Sequence, residues 1–120
     1  MNEARKAEIE QKLNSSREDL ILDLGRTTTK SAIAPDLRKK GLEIYENLRK
    51  SLQKKICTDK KLLEIYKSIG DGKKALLVAA LADFISGLVV AISPVTLAVL
   101  LVKDGMEIYC ESYWKKIKED

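Results

Sequence analysis

The side chains that could do chemistry in this 120-residue chain are few, and their scarcity is informative. There is no histidine, which removes the commonest general base and the commonest metal ligand. The two cysteines, Cys57 and Cys110, stand 53 positions apart without metal-ligand or framework spacing, and neither has a basic residue placed to activate it. They read as small interior residues with free thiols, a bond between two helices being the alternative. The carboxylates are spread along charged stretches rather than paired. One acid stands apart: Asp83 lies inside an apolar run, where it needs a hydrogen-bond donor or a basic partner. No catalytic centre, metal site or cofactor site follows from these residues, and a non-enzymatic role is the expectation.

One short string does suggest ligand chemistry. Asp23-Leu24-Gly25-x-Thr27-x-x-Lys30 resembles the first phosphate loop of the actin and sugar-kinase superfamily. The resemblance implies a β-hairpin whose turn amides and threonine hydroxyl approach the phosphates of ATP. It is confined to this stretch. The chain lacks a second phosphate loop and an adenosine-binding segment, and is too short for the two-lobed fold that closes over a nucleotide. The same residues also read as a helix capped by Ser15 or Ser16, with Ser16 and Asp19 in weakened capping-box spacing, and ended by Gly25, followed by a threonine-rich connection, and that is the expectation. Gly70-Asp71-Gly72 before Lys73 lacks the Walker spacing and reads as a turn.

The elements that would position such residues are organised around Ala75–Val102, 28 residues with Asp83 as their one formal charge. Everything upstream is polar and amphipathic, so something must cover this run. Lipid is a poor cover. A span needs about 20 apolar residues, and Phe84–Val102 supplies 19 uncharged ones with Ser93-Pro94 near the middle. A window moved to Ala75–Ser93 centres Asp83, at a cost of about 2.5–3.5 kcal/mol on insertion scales. A lipid-inserted hairpin turning at Ser93-Pro94 would carry Lys103, Asp104, Glu107 and Glu111 in its second arm.

Upstream, Asn2–Asn14 forms a thin helix with Ala4, Ile9 and Leu13 on one side. Pro35 opens the clearest amphipathic helix, with Leu37, Gly41, Ile44, Leu48, Leu52 and Ile56 at spacings of 4, 3, 4, 4 and 4. Thr58 is the expected N-cap of a shorter helix over 59–69. A hydrophobic helix over 73–92 follows, with Ala79, Asp83, Ser86 and Gly87 as its small or polar strip. Ser93-Pro94 then starts a last helix to about Lys118. Its stripe is Val95, Val99, Val102, Met106, Tyr109, Tyr113 and Ile117.

The net charge of +4 is unevenly distributed: residues 36–74 carry 12 basic and 6 acidic side chains, residues 75–120 carry 4 and 6. Glu43, Glu46, Asp59 and Glu64 interrupt the basic stretch, so no continuous phosphate-facing stripe forms, and nucleic acid is a poor candidate partner. MNEARKAEIEQK has no apolar segment of the signal-peptide kind, which with free thiols gives a cytoplasmic expectation.

The sequence thus predicts an all-α domain over 1–120: an N-terminal helical segment (1–34), basic amphipathic helices (35–70) and a hydrophobic helical hairpin (73–118). About five helices would surround the central 73–92 helix. A chain this small has difficulty enclosing a helix that is apolar on all sides. The expected function is protein interaction, through a homo-oligomer or a helical partner, with Ala79, Asp83, Ser86, Gly87, Leu88, Val89 and Ile92 as interface residues. A membrane-associated effector or immunity-type protein using residues 75–102 is the alternative.

Overall fold

In the computed structural model, which describes residues 3–26, 33–69, 73–89 and 92–119, the chain is helical. Helices α1 (Glu3–Leu13), α2 (Arg17–Arg26), α3 (Ala34–Cys57) and α4 (Lys60–Ile69) precede α5 (Lys74–Ser86) and α6 (Pro94–Asp104), and α7 (Met106–Tyr109) and α8 (Glu111–Glu119) follow. The all-α bundle holds. No strand occurs among the described residues, and no helix there is long and apolar enough to cross a membrane.

Helix α6 is the interior. The Ser93 hydroxyl accepts from the Thr96 amide at 3.3 Å, and Pro94, at the helix start, has no amide to leave unpaired. From Val95 to Val102 every residue is buried, so no face is left for water. Helices α1, α2 and α5 pack on it. The centre is therefore α6, not the 73–92 helix. That helix is shorter than its apolar composition suggests and exposes one side. It ends at Ser86, whose hydroxyl donates to the Asp83 carbonyl at 2.8 Å, and Gly87 caps it.

The tightest helix pairing lies between α2 and α3. A β-carbon on Gly25 would lie 2.1 Å from the Leu37 carbonyl oxygen, and one on Gly41 would lie 1.9 Å from that of Ile21. Each helix thus brings a glycine against the other's backbone, and only hydrogen in place of a side chain permits that approach. Gly25 is accordingly inside α2 and buried, not past its end. Ser16 does start α2, accepting from the Asp19 amide at 3.1 Å. On α3 the buried line runs Leu37, Gly41, Tyr45, Leu52 and Ile56; Tyr45 is fully enclosed and Ile44 half-buried.

At the next junction the capping roles differ from expectation by one residue. The Thr58 hydroxyl donates to the Lys54 carbonyl at 2.6 Å and closes α3, whereas Asp59 Oδ1 accepts from the Leu62 amide at 3.0 Å and starts α4. Glycines 70 and 72 lie outside the described residues.

The expected single helix over 94–118 is three helices. Gly105 has φ +101°, a conformation that side chains oppose, and it redirects the chain. A second turn at Cys110 sets α8 off from α7. The stripe persists across both breaks: Val95, Val99, Val102, Met106 and Tyr109 are buried and Tyr113 half-buried, while Ile117's side chain lies outside the described residues. The redirection brings Cys110 to Cys57, and the two are bonded, with Cα atoms 5.2 Å apart and both side chains buried. The expectation of free thiols is overturned. Spacing along the chain could not reveal the pair, because only the break at Gly105 brings it together.

Candidate functional site

The residues expected to form one interface differ in exposure: Asp83, Ser86, Gly87 and Leu88 are exposed, Ala79 and Val89 half-buried and Ile92 buried. On α5, Ala79 is half-buried against the core. Asp83 faces solvent, its side chain 80 % exposed, with Arg5 of α1 at 3.4 Å. It has the basic partner that the sequence called for, but at the surface and not in an apolar interior. Ser86 is exposed with its hydroxyl turned to its own helix, and Gly87 has only the Phe84 carbonyl near its open side, at 3.6 Å. No close backbone approach uses these small residues. Beyond the helix, Leu88 is 40 % exposed, Val89 is half-buried and Ile92 is buried.

The outward side of α5 carries a different line. Leu76, Ala80 and Phe84 follow one another at intervals of four on the helix, and Leu88 lies in the turn just past its end. Leu76 and Leu88 are exposed at its two ends, and Ala80 and Phe84 are half-buried between them. Such i, i+4 rows are the ridges with which helices pack. Beside Leu76 a shallow hollow between α4 and α5 is lined by Lys61, Glu64, Ile65 and Ser68.

A second apolar feature was not among the expected interface residues. Ile108 on α7 is 71 % exposed, the most exposed of the large hydrophobics among the described residues. It is held outward by the groups around it. Behind it Tyr109 is buried, its hydroxyl donating to the Arg49 carbonyl, with the Arg49 guanidinium 5.4 Å from the ring centre. Gln53 Nε2 donates to the Tyr109 carbonyl at 2.8 Å. The disulfide follows directly, and Trp114 Nε1 donates to the Cys57 carbonyl at 3.1 Å while its ring packs on Tyr66. The four-residue α7 is thus pinned by hydrogen bonds and a covalent bond to the last turns of α3.

The C-terminal end of α6, just before Gly105, is fixed by charge. Asp104 receives Arg17 Nε at 3.1 Å and the Tyr45 hydroxyl at 2.5 Å, and Arg17 also lies 5.6 Å over the Tyr45 ring. Burial pushes the Tyr45 phenol well above its usual range, and the hydrogen bond to Asp104 adds to the shift. Burial likewise raises Tyr109, partly opposed by Arg49. The hydrogen bond from Arg17 to Asp104 raises the guanidinium, against a smaller desolvation effect. A carboxylate engaged by two donors is a structural clamp joining α2, α3 and α6. Nothing local marks this clamp in the sequence, because the partners lie 87 and 59 residues from Asp104.

The phosphate-loop string takes no loop conformation where it is described. Asp23 accepts from Lys12 at 2.6 Å and Arg26 at 3.0 Å, tying α2 to α1, and Leu24 and Gly25 are buried within α2. Thr27 and Lys30 lie outside the described residues. Among the described residues no group of three His, Cys, Asp or Glu side chains is placed to hold a metal ion. The chain matches no protein-family model, no curated protein and no solved structure.

Proposed function

We propose that the chain is a non-enzymatic helical interaction module that associates through outward apolar side chains of its 73–118 segment, a second copy being the simplest partner and another helical protein the alternative. One observation carries this reading. Among the described residues the exposed large hydrophobics are Ile33, Leu76, Leu88 and Ile108, and three of these four come from that segment. Single exposed hydrophobics are ordinary. A helical row of three extended by Leu88 in the following turn, with a rigidly held isoleucine on another element, is an arrangement suited to docking.

The Cys57–Cys110 bond bears on where this would happen. The cytoplasmic expectation rests on free thiols together with the charged N-terminal stretch; the first of these grounds is gone, and a bonded pair suits an oxidising compartment better.

Sedimentation velocity in detergent-free buffer tests the reading. The wild-type chain should associate with rising concentration, and a Leu76→Glu, Leu88→Glu, Ile108→Glu triple variant should not. Undiminished association in the triple variant would refute it. Flotation of wild-type protein with anionic vesicles, lost in the same variant, would favour the membrane-associated alternative.

A further inference from the structure

We infer that a second copy of this chain docks on the α7 face through a two-fold contact, Ile108 against Ile108, with the acidic wall beside Ile108 in each copy facing the basic wall in the other. This rests on the association reading above and names its face, its occupant and its symmetry.

Ile108 stands between two hollows. One, of about 320 Å³, has Glu107, Glu111 and Lys115 in its walls and Trp114 beside them. The other, of about 190 Å³, has Glu46, Arg49 and Lys50 in its walls and Gln53 and Tyr109 beside them. The first wall has two carboxylates against one ammonium, Lys115 and Glu111 pairing at 3.0 Å and Glu107 leaving the wall net negative. The second has two cations against one carboxylate. An apolar knob thus separates a net negative wall from a net positive one.

That division selects the partner. A two-fold axis lying between the copies and running along α7 reverses left and right on the facing surface. It sets each acidic wall against the other copy's basic wall and brings the two Ile108 side chains together at the axis. A surface of this kind is self-complementary, which is the requirement for an isologous dimer. A partner of uniform charge would meet one favourable and one repelling wall.

Rigidity adds a second argument. Ile108 needs no loop to order on binding, because Gly105, the Tyr109 hydrogen bonds and the disulfide already fix α7. An anchor that is pre-organised loses little entropy on docking. The contact is nonetheless small beside a standard interface of about 1,600 Å², so a weak dimer is expected, with Kd on the order of 10–100 µM.

Charge exchange followed by analytical ultracentrifugation tests this. Ile108→Glu should lower the association constant by at least about tenfold, with far-UV circular dichroism and melting unchanged because the side chain is exposed. Glu111→Lys and Lys50→Glu should each weaken self-association, since in either homodimer both wall contacts become like-charged. An equimolar mixture of the two should recover association, because in the mixed dimer both contacts are again of opposite sign. Loss in the single variants without recovery in the mixture would overturn the two-fold pairing. Unchanged association in Ile108→Glu would overturn the assignment of this face. If Leu76→Glu or Leu88→Glu then abolished it, the broader association reading would stand, with α5 as its surface. A wild-type chain that stays monomeric throughout would overturn the inference and self-association together.

Discussion

Helices α5 and α6 come from one apolar run, yet they occupy opposite environments. From Val95 to Val102, α6 has no exposed residue, whereas α5 shows solvent Leu76 and Asp83 on a helix whose other side is as buried as any in the molecule. Hydrophobicity does not separate them. What separates them is the set of neighbours. Helices α1, α2 and α5 all turn apolar stripes toward α6, and the Arg17–Asp104 and Tyr45–Asp104 contacts hold its end beneath α2 and α3. The outward side of α5 is turned away from the core. A helix becomes the core where other stripes converge on it, and an equally apolar helix one turn of chain away keeps a face for something else.

The sharpest way to break that contrast is to truncate matched leucines. Leu100→Ala in α6 should destabilise the protein by about 3 kcal/mol, from lost burial plus the cavity left behind. Leu76→Ala in α5 should change stability by less than about 0.5 kcal/mol. Chemical denaturation reads both, and equal losses would mean that the two helices are buried alike.

Opening the disulfide tests a different tie. Replacing both cysteines by alanine should cost about 2–4 kcal/mol, because the bond closes a long loop. Hydrogen exchange should quicken at Met106–Trp114 before it quickens in α6.

Two glycines, Gly41 at the α2–α3 crossing and Gly87 at the open end of α5, should respond in opposite directions. Gly41→Ala puts a methyl group into the Ile21 carbonyl and should destabilise by about 1–3 kcal/mol as α2 and α3 are forced apart. Gly87→Ala, at φ −79° with open space beside it, should be neutral or stabilising by about 0.4–1 kcal/mol. A destabilising Gly87→Ala would mean that the α5 terminus packs closely on something.

The buried phenols set a limit on the alkaline side. Tyr45 and Tyr109 are held neutral in the folded protein above their ordinary range. The unfolded chain releases those protons from about pH 10 while the folded chain retains them, so their contribution is fully present below that pH and is lost as pH rises further. Each should contribute a decline of up to about 1.4 kcal/mol per pH unit. Tyr45→Phe should flatten the slope; an unaltered slope would mean that the phenol titrates normally.

The smallest effect is expected at Asp83. An acid in an apolar helix invites a large penalty on removal, but its solvent exposure limits the ion pair with Arg5 to a surface contribution. Asp83→Ala should change stability by less than about 0.5 kcal/mol in thermal or chemical melts, and a loss above 2 would show it buried in solution.

The elements were largely legible because they rest on local chemistry. The caps at Ser16 and Ser93, Pro94 at a helix start and the long α3 follow from residue types at fixed offsets. The misread points depend on distant partners. Gly25 resembled a helix end and proved to be a crossing point, because Leu37 comes against it. Gly105 lies inside the expected 94–118 helix, and its positive φ makes it a break there. The exposed knob was legible in principle. Ile108 falls off the stripe that Met106 and Tyr109 continue, and it stands next to Glu107 on a side that should have faced water. The disulfide and the Asp104 clamp had no local sign, since the chain must fold before their members meet.

The central claim is that the outward apolar side chains of the C-terminal segment serve association between copies. Sedimentation equilibrium of the wild-type chain from about 5 to about 500 µM tests it most directly. The expected result is a weight-average mass that climbs from 13.5 kDa toward twice that value as concentration rises. A mass that stays at 13.5 kDa across the whole range would contradict it.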